Sequence, residues 1–344
     1  MTTVNLPISF RWLFVLFIFF SGILTGYTQV TIDGTLRLGI ADATRFSEDY
    51  FNAGAESLIN NTVNGWYTTA ETKEFLDFDI GLVTSLSFVR EEKTRFNLNE
   101  LDYVNLAFRT GGTVQSVANI LGQNPGEVVV DITNSNGGDT DITLPSGPDN
   151  SEVSRFMVNY IQGSIGLIKG FELKMRYMPK MKIADRTKLR VLGFGIQNQL
   201  THSIYSWRRF PVDIGAVISY TNFRSTYDFT NEDLTLEGTE QSIEMNGGSW
   251  LFSGIISTKR KALNFYGGFG LFAGRTTTDL LGVYEIPELG FENSTVSDPV
   301  SAVNKESGLR ATLGTTYTYK IATAHLDYTL QNYSTITLGL KVGW

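Results

Sequence analysis

From residue 75 onward the chain alternates apolar and polar side chains with period two. In 75–89, Leu76, Phe78, Ile80, Leu82, Leu86 and Phe88 share one face, and Asp77, Asp79, Gly81, Ser85 and Ser87 share the other. The same pattern returns in Phe171, Leu173, Met175 and Tyr177 against Glu172, Lys174 and Arg176, and in Leu192, Phe194 and Ile196 against Gly193, Gly195 and Gln197. It recurs around 212–221 and 309–319. Such alternation predicts strands with one apolar and one polar side. Many runs reach the roughly 9 to 11 residues that a tilted membrane-crossing strand needs, beyond the mode of about 5 to 6 in globular sheets. Short turns at 168–170, 207–210, 259–261 and 320–322 alternate with long polar stretches at 133–152, 229–241 and 284–305, as in a barrel with short turns at one rim and long loops at the other.

These features predict an all-β fold, a transmembrane antiparallel β-barrel whose apolar face meets lipid and whose polar face lines a lumen. Counting back from Trp344 gives nine strands down to Val153. Segments 75–89, 97–108 and 127–133 bring the total to twelve, or to fourteen if 30–40 or 139–144 joins the wall. Both ends of the barrel are expected on the short-turn side. The last strand places Ile336, Leu338, Leu340, Val342 and Trp344 on the lipid face. Leu338, Leu340, Val342 and Trp344 have the form of the C-terminal signal read by barrel-assembly machinery, which makes that machinery an expected partner.

The N-terminal region differs. Arg11 precedes the apolar run 12–20, closed by Ser21, Gly22 and Thr25, in the plan of a secretory leader. Cleavage after Thr28 would leave a plug or periplasmic segment at 29–74 and a barrel at 75–344. Ala43, Phe46, Tyr50, Ala53 and Leu58 recur at helical spacing. The helix is expected either within the lumen, with Phe46, Tyr50, Phe51 and Trp66 as fillers, or beneath the barrel.

Composition agrees with this picture. Charged residues make up 18% of the 344 residues and aromatics 12%, a low charge for a wholly water-facing protein. With no Cys and only two His, thiolate chemistry is excluded, little remains for a metal site, and no cofactor is expected. A formal charge of −7 argues against nucleic-acid binding. An exported barrel of the Gram-negative outer membrane follows, with membrane lipid and lipopolysaccharide around it.

The stretch 43–66, the leader ending before Gln29, the hairpin GFELKMRYMPKMKI and its partner LGFGIQNQLTHSIYSW resemble outer-membrane barrels of Bacteroidota and, more remotely, the FadL-like long-chain fatty-acid transporters. That resemblance implies a plug at 35–69 and passage of a small hydrophobic molecule. Asn52-Ala53-Gly54-Ala55 stands where FadL-like plugs carry an Asn-Pro-Ala turn.

Candidate lumen-lining residues are Glu172, Lys174, Arg176, Arg190, Gln197, His325 and Asp327. Alternation is expected to send Lys174, Arg176 and Arg190 inward. Lys180, Lys182, Arg186 and Lys188 would sit at an outer tip, available to anionic solutes or lipopolysaccharide phosphates. His325 and Asp327 share one face, so a His-Asp-Ser arrangement is conceivable, but there is no nucleophile elbow and no enzymatic activity is expected. His202 and Trp207 fit an interfacial girdle. The spacing of Gly268, Gly270 and Ala273 imitates a dinucleotide fingerprint inside a strand pattern. The acidic residues Asp139, Asp141, Asp149, Glu232, Asp233, Glu237 and Glu240 lack EF-hand spacing. The leading expectation is binding or passage of a small, hydrophobic molecule through a partly plugged lumen; the alternative is a non-transporting barrel whose outer loops dock partners.

Overall fold

The computed structural model describes residues 32–133, 141–147, 153–182, 187–229, 234–286 and 294–344. The leader, Arg186, Asp139, Asp149, Glu232 and Asp233 lie outside the described residues. Ten antiparallel strands form the wall: β1 (Phe78–Phe88), β2 (Arg155–Gly166), β3 (Phe171–Lys182), β4 (Thr187–Gln199), β5 (Val212–Asp228), β6 (Gly238–Thr258), β7 (Leu263–Ile286), β8 (Val300–Tyr319), β9 (Ala322–Leu330) and β10 (Thr335–Gly343). Each pairs with its chain neighbour, and β1 closes the ring on β10 from Asp79↔Gly343 to Ser87↔Thr335. A closed ring leaves no unpaired edge.

The nine strands counted from the C-terminus are all present, but the total is ten, not twelve. Of the three upstream candidates only 75–89 enters the wall, because β1 pairs directly with β2 along its whole length and leaves no slot between them. The described residues of 89–133, 141–147 and 153–154 build a cap above that pair. Arg95–Asn99 pairs with Val114–Ala118, and Leu106–Phe108 pairs with Val129–Ile132, which pairs with Asp141–Thr143. These pieces are three to five residues long, too short to cross a bilayer. Residues 32–38 form a 3-10 turn rather than a wall strand.

Alternation places the apolar face outward. Phe78, Ile80, Leu82, Leu173, Met175, Phe194, Ile196, Trp250, Phe269 and Leu313 are exposed on the outer wall, while Ser85, Ser87, Glu172, Lys174, Arg176 and Gln197 are buried inside. Outward apolar stretches cover 212–220 on β5, 263–273 on β7 and 309–319 on β8. At ~3.4 Å per residue and a tilt near 45° these runs give a band about 25 Å tall. Strands β5 to β8 continue past the band, with β7 reaching 24 residues, so the expected loop at 284–305 contains the end of β7 and the start of β8, and the one at 229–241 gives 238–241 to β6. This half-wall and the cap together form a cup above the ring.

The helix α1 (Ile40–Thr62) stands in that cup. Ala43, Phe46, Tyr50, Ala53 and Leu58 are buried as their spacing predicts. The helix runs unbroken through Asn52-Ala53-Gly54-Ala55. Gly54 earns its place by proximity, since a Cβ there would come 3.0 Å from Ile120 of the cap. Among the described residues no helix is long and apolar enough to cross a membrane.

Candidate functional site

Residues 32–73 pass through the barrel from one rim to the other. At the long-loop rim Asp33 accepts hydrogen bonds from the backbone N–H groups of Thr235 (2.6 Å) and Leu236 (2.7 Å). Burial raises its carboxyl above the ordinary value against the pull of those donors. Asp42 accepts from the N–H groups of Val104 and Asn105 in the cap, Tyr50 donates to the Ser146 carbonyl, and Lys93 pairs with Glu56 at 2.9 Å. Phe46 packs edge-on against Phe96, 5.8 Å between ring centroids. Phe46, Tyr50 and Phe51 therefore fill the cup rather than the band, and the helix lies neither beneath the barrel nor wholly inside the ring.

At the level of the outward apolar band the lumen is closed by the extended continuation of α1. Trp66 lies on the inner wall of β4, in a saddle made by two glycines. A Cβ at Gly193 or Gly195 would approach its ring to 2.9 Å. Tyr67 uses Gly268 in the same way, which accounts for the glycine of the false dinucleotide spacing. Farther down, Thr68 accepts from Thr316, Thr69 accepts from Gln197 (2.9 Å), and Thr72 donates to Gln199. At the short-turn rim Lys73 bridges Asp79 (2.8 Å) and Glu172 (3.5 Å), and Lys174 pairs with Glu172 at 2.6 Å.

Two buried arginines grip the turn between helix and extended chain. Arg176 donates to the carbonyls of Thr62 (3.0 Å) and Asn64 (2.8 Å) and to Gln162 Oε1 (2.8 Å). Its guanidinium stacks 3.8 Å from the Trp66 ring and 4.6 Å from Tyr160. From the opposite wall Arg310 donates to the Val63 carbonyl, to Asn64 Oδ1 (2.8 Å) and to Thr312 and Thr329. A helix C-terminus leaves carbonyls without intrahelical donors and carries partial negative charge, so cations are well placed there.

Of the predicted lumen residues, Glu172, Arg176 and Gln197 meet the N-terminal segment, and Lys174 pairs with Glu172. His325 and Asp327 face inward on β9, but Asp327 accepts from Tyr266 Oη at 2.8 Å and the His325 ring lies over Gly339. Arg190 is the correction. It shares parity with Leu192, Phe194 and Ile196, and it is exposed on the outer wall, while Leu189 and Val191 turn inward. No register shift between β4 and β5 reverses that parity. Arg310, Gln162, Tyr160 and Lys73 were not singled out from the sequence. Arg310 had a readable signal, an arginine between outward Leu309 and inner-face Thr312. At the seam Trp344 exchanges backbone hydrogen bonds with Phe78, their rings 5.3 Å apart, and Leu338, Leu340 and Val342 occupy the outward side of β10.

These features define a class: a closed ten-stranded barrel of the outer-membrane type, with its lumen occupied by its own N-terminal segment. The chain belongs to the DUF6588 family, described as a family of unknown function, whose model matches residues 8–344. No curated protein matches it. Among solved structures it resembles the translocator domain of the autotransporter NalP from Neisseria meningitidis, at 9% identity and TM-score 0.33 over 87% of this chain and 98% of that one. It also resembles the Pseudomonas putida toluene transporter TodX, at 8% identity and TM-score 0.28 over 93% and 98%. A Pseudomonas aeruginosa FadL homologue matches at 8% identity and TM-score 0.22 over 78% and 90%.

Proposed function

We propose that this protein resides in a Gram-negative outer membrane as a barrel sealed by its own N-terminal segment, and that it acts at the cell surface as a docking scaffold rather than as a path for solutes. The observation that carries this reading is the rim-to-rim course of residues 32–73, held at Asp33, at the Arg176 and Arg310 grip and at Lys73. The apolar band supports membrane residence, and the leader-like sequence at 11–28 and the C-terminal pattern ending on Trp344 support export and delivery by the barrel-assembly machinery. The cap presents Leu101, Val104 and Val114 to solvent, apolar side chains suited to a protein partner. Beside them a polar cleft of about 580 Å³ is lined by Glu91, Glu92, Arg95, Phe96, Asn97 and Ser116. Its charged walls suit a polar ligand better than the hydrophobic molecule expected from sequence.

Conductance tests the reading. The intact protein in planar bilayers should be silent, and removal of residues 35–69 should open channels with anion preference set by Lys174, Arg176 and Arg310. Steady conductance from the intact protein would overturn it in favour of a transporter.

A further inference from the structure

Arg190 belongs to a pattern on the outer wall. It lies directly opposite Arg224 on β5, and Arg275 on β7 lies directly opposite Lys305 on β8. All four are exposed and point outward. Like charges facing each other across an antiparallel pair repel. Among the described residues only Arg224 has an acidic partner, Glu244.

Their height is shared as well as their sign. Arg190 follows the last outward apolar residue of β4, Leu192, and Arg275 follows Ala273 on β7. Arg224 stands two outward positions above Tyr220, and Lys305 two above Leu309. Both pairs thus ride at the upper edge of the apolar band, where lipid head groups begin. Below them half-buried Tyr220 and exposed Trp250 form an outward aromatic shelf, ring centroids 4.8 Å apart, of the kind that marks a membrane interface. On β6 between the pairs Gly248 and Asn246 turn outward, and one outward position higher Glu244 binds Arg224 and Asn246, which leaves Arg190, Arg275 and Lys305 as the cations without a carboxylate among the described residues. Strands β5 and β7 are two strand spacings apart, roughly 10 Å, so one head group with two phosphates can reach both pairs.

We infer that this face of the wall is a docking site for lipid-borne phosphate, the head group of a phosphorylated glycolipid of the outer leaflet such as lipopolysaccharide. The inference rests on the outer-membrane reading above. Phosphate removes the repulsion within each pair, and an arginine fork meets its oxygens two at a time. The acyl chains of the same lipid would lie along Phe194, Ile218 and Phe252, which are exposed below.

The test measures lipopolysaccharide retained by the purified full-length protein in zwitterionic micelles, by native mass spectrometry. The protein is compared with a variant carrying Arg190→Gln, Arg224→Gln, Arg275→Gln and Lys305→Gln, and with Lys320→Gln at the opposite rim. The fourfold variant should retain at least about tenfold less, Lys320→Gln should retain the normal amount, and dephosphorylated lipopolysaccharide should bind the intact protein no better than it binds the variant. If the fourfold variant does not fold, the two pairwise variants replace it, each expected to lose part of the retention. Unchanged retention by a folded variant overturns the site. Full displacement of the lipid by millimolar inorganic phosphate would assign the pairs to free anions instead. Failure of the intact protein to insert into phosphatidylcholine vesicles would overturn the membrane reading itself, a separate outcome.

Discussion

Replacing Arg176 with Met keeps much of the side-chain volume and removes the fork that holds the helix exit. The change strands the Asn64 carbonyl and Gln162 Oε1, both buried, and leaves the Thr62 carbonyl only its hydrogen bond from Thr221. Each orphaned buried acceptor costs about 1–3 kcal/mol. Loss of the stacked cation between Trp66 and Tyr160 adds roughly 0.5–2 kcal/mol. Against this, removing a buried charge recovers several kcal/mol of desolvation. A net loosening of about 2–4 kcal/mol follows, which raises the unlatched fraction by roughly 10²-fold at 1.4 kcal/mol per factor of ten. Single-channel recording in planar bilayers reads that fraction directly, as openings frequent in the variant and rare in the intact protein. Arg176→Lys should fall between them, since it keeps the charge and loses the two-pronged geometry. A folded Arg176→Met barrel as silent as the intact protein would refute the assignment of Arg176 as a latch.

Other outcomes follow from the same geometry. Trp344→Asp should abolish outer-membrane assembly without affecting export, because it breaks the ring contact with Phe78 at the seam; a heat-modifiable band at normal abundance would contradict this. Leu173→Arg and Phe194→Arg, on the lipid face, should each cost roughly 2–4 kcal/mol near the bilayer midplane in a refolding titration. Gly195→Val should push Trp66 off its saddle and cost about 1–3 kcal/mol, visible as protease cleavage within 40–62. Asp33 has a folded pKa above its unfolded value, so its seat is stabilised below the unfolded pKa and loses that contribution as pH rises through the folded one. Hydrogen exchange of 32–38, corrected for intrinsic rates, should therefore be slower at pH 4 than at pH 7.

The wall was legible because a period-two code with an apolar outer side leaves little freedom of register. The nine strands from Val153 and the strand at 75–89 all came out of alternation alone. The cap did not, because strands as short as Leu106–Phe108 carry too few residues to show a period, and their apolar members resemble those of a wall strand. Arg190 was misplaced although its parity with Phe194 was readable, a slip of one position that turns a side chain from lumen to lipid. The helix at 40–62 showed its spacing, but its place did not. That place depends on contacts such as Asp33 with Leu236, about two hundred residues apart, which no local pattern records. Glu172, Lys174 and Arg176 were found as inward charges. Their partners were not, since alternation states which way a side chain points and not what it meets.

The course of residues 32–73 also constrains the order in which the molecule is made. The ring closes where β1 meets β10, and the residue entering β1 is joined to a segment that already runs the full height of the interior. Closing the seam first would require drawing Trp66, Tyr67 and the helix upward through a bore in which Arg176 and Arg310 reach from opposite walls to the same Asn64. Residues 32–73 must therefore be laid against β3 to β8 while the sheet is still open, and the first and last strands then zip around them. In this protein the interior is a template on which the last hydrogen bonds of the wall are formed.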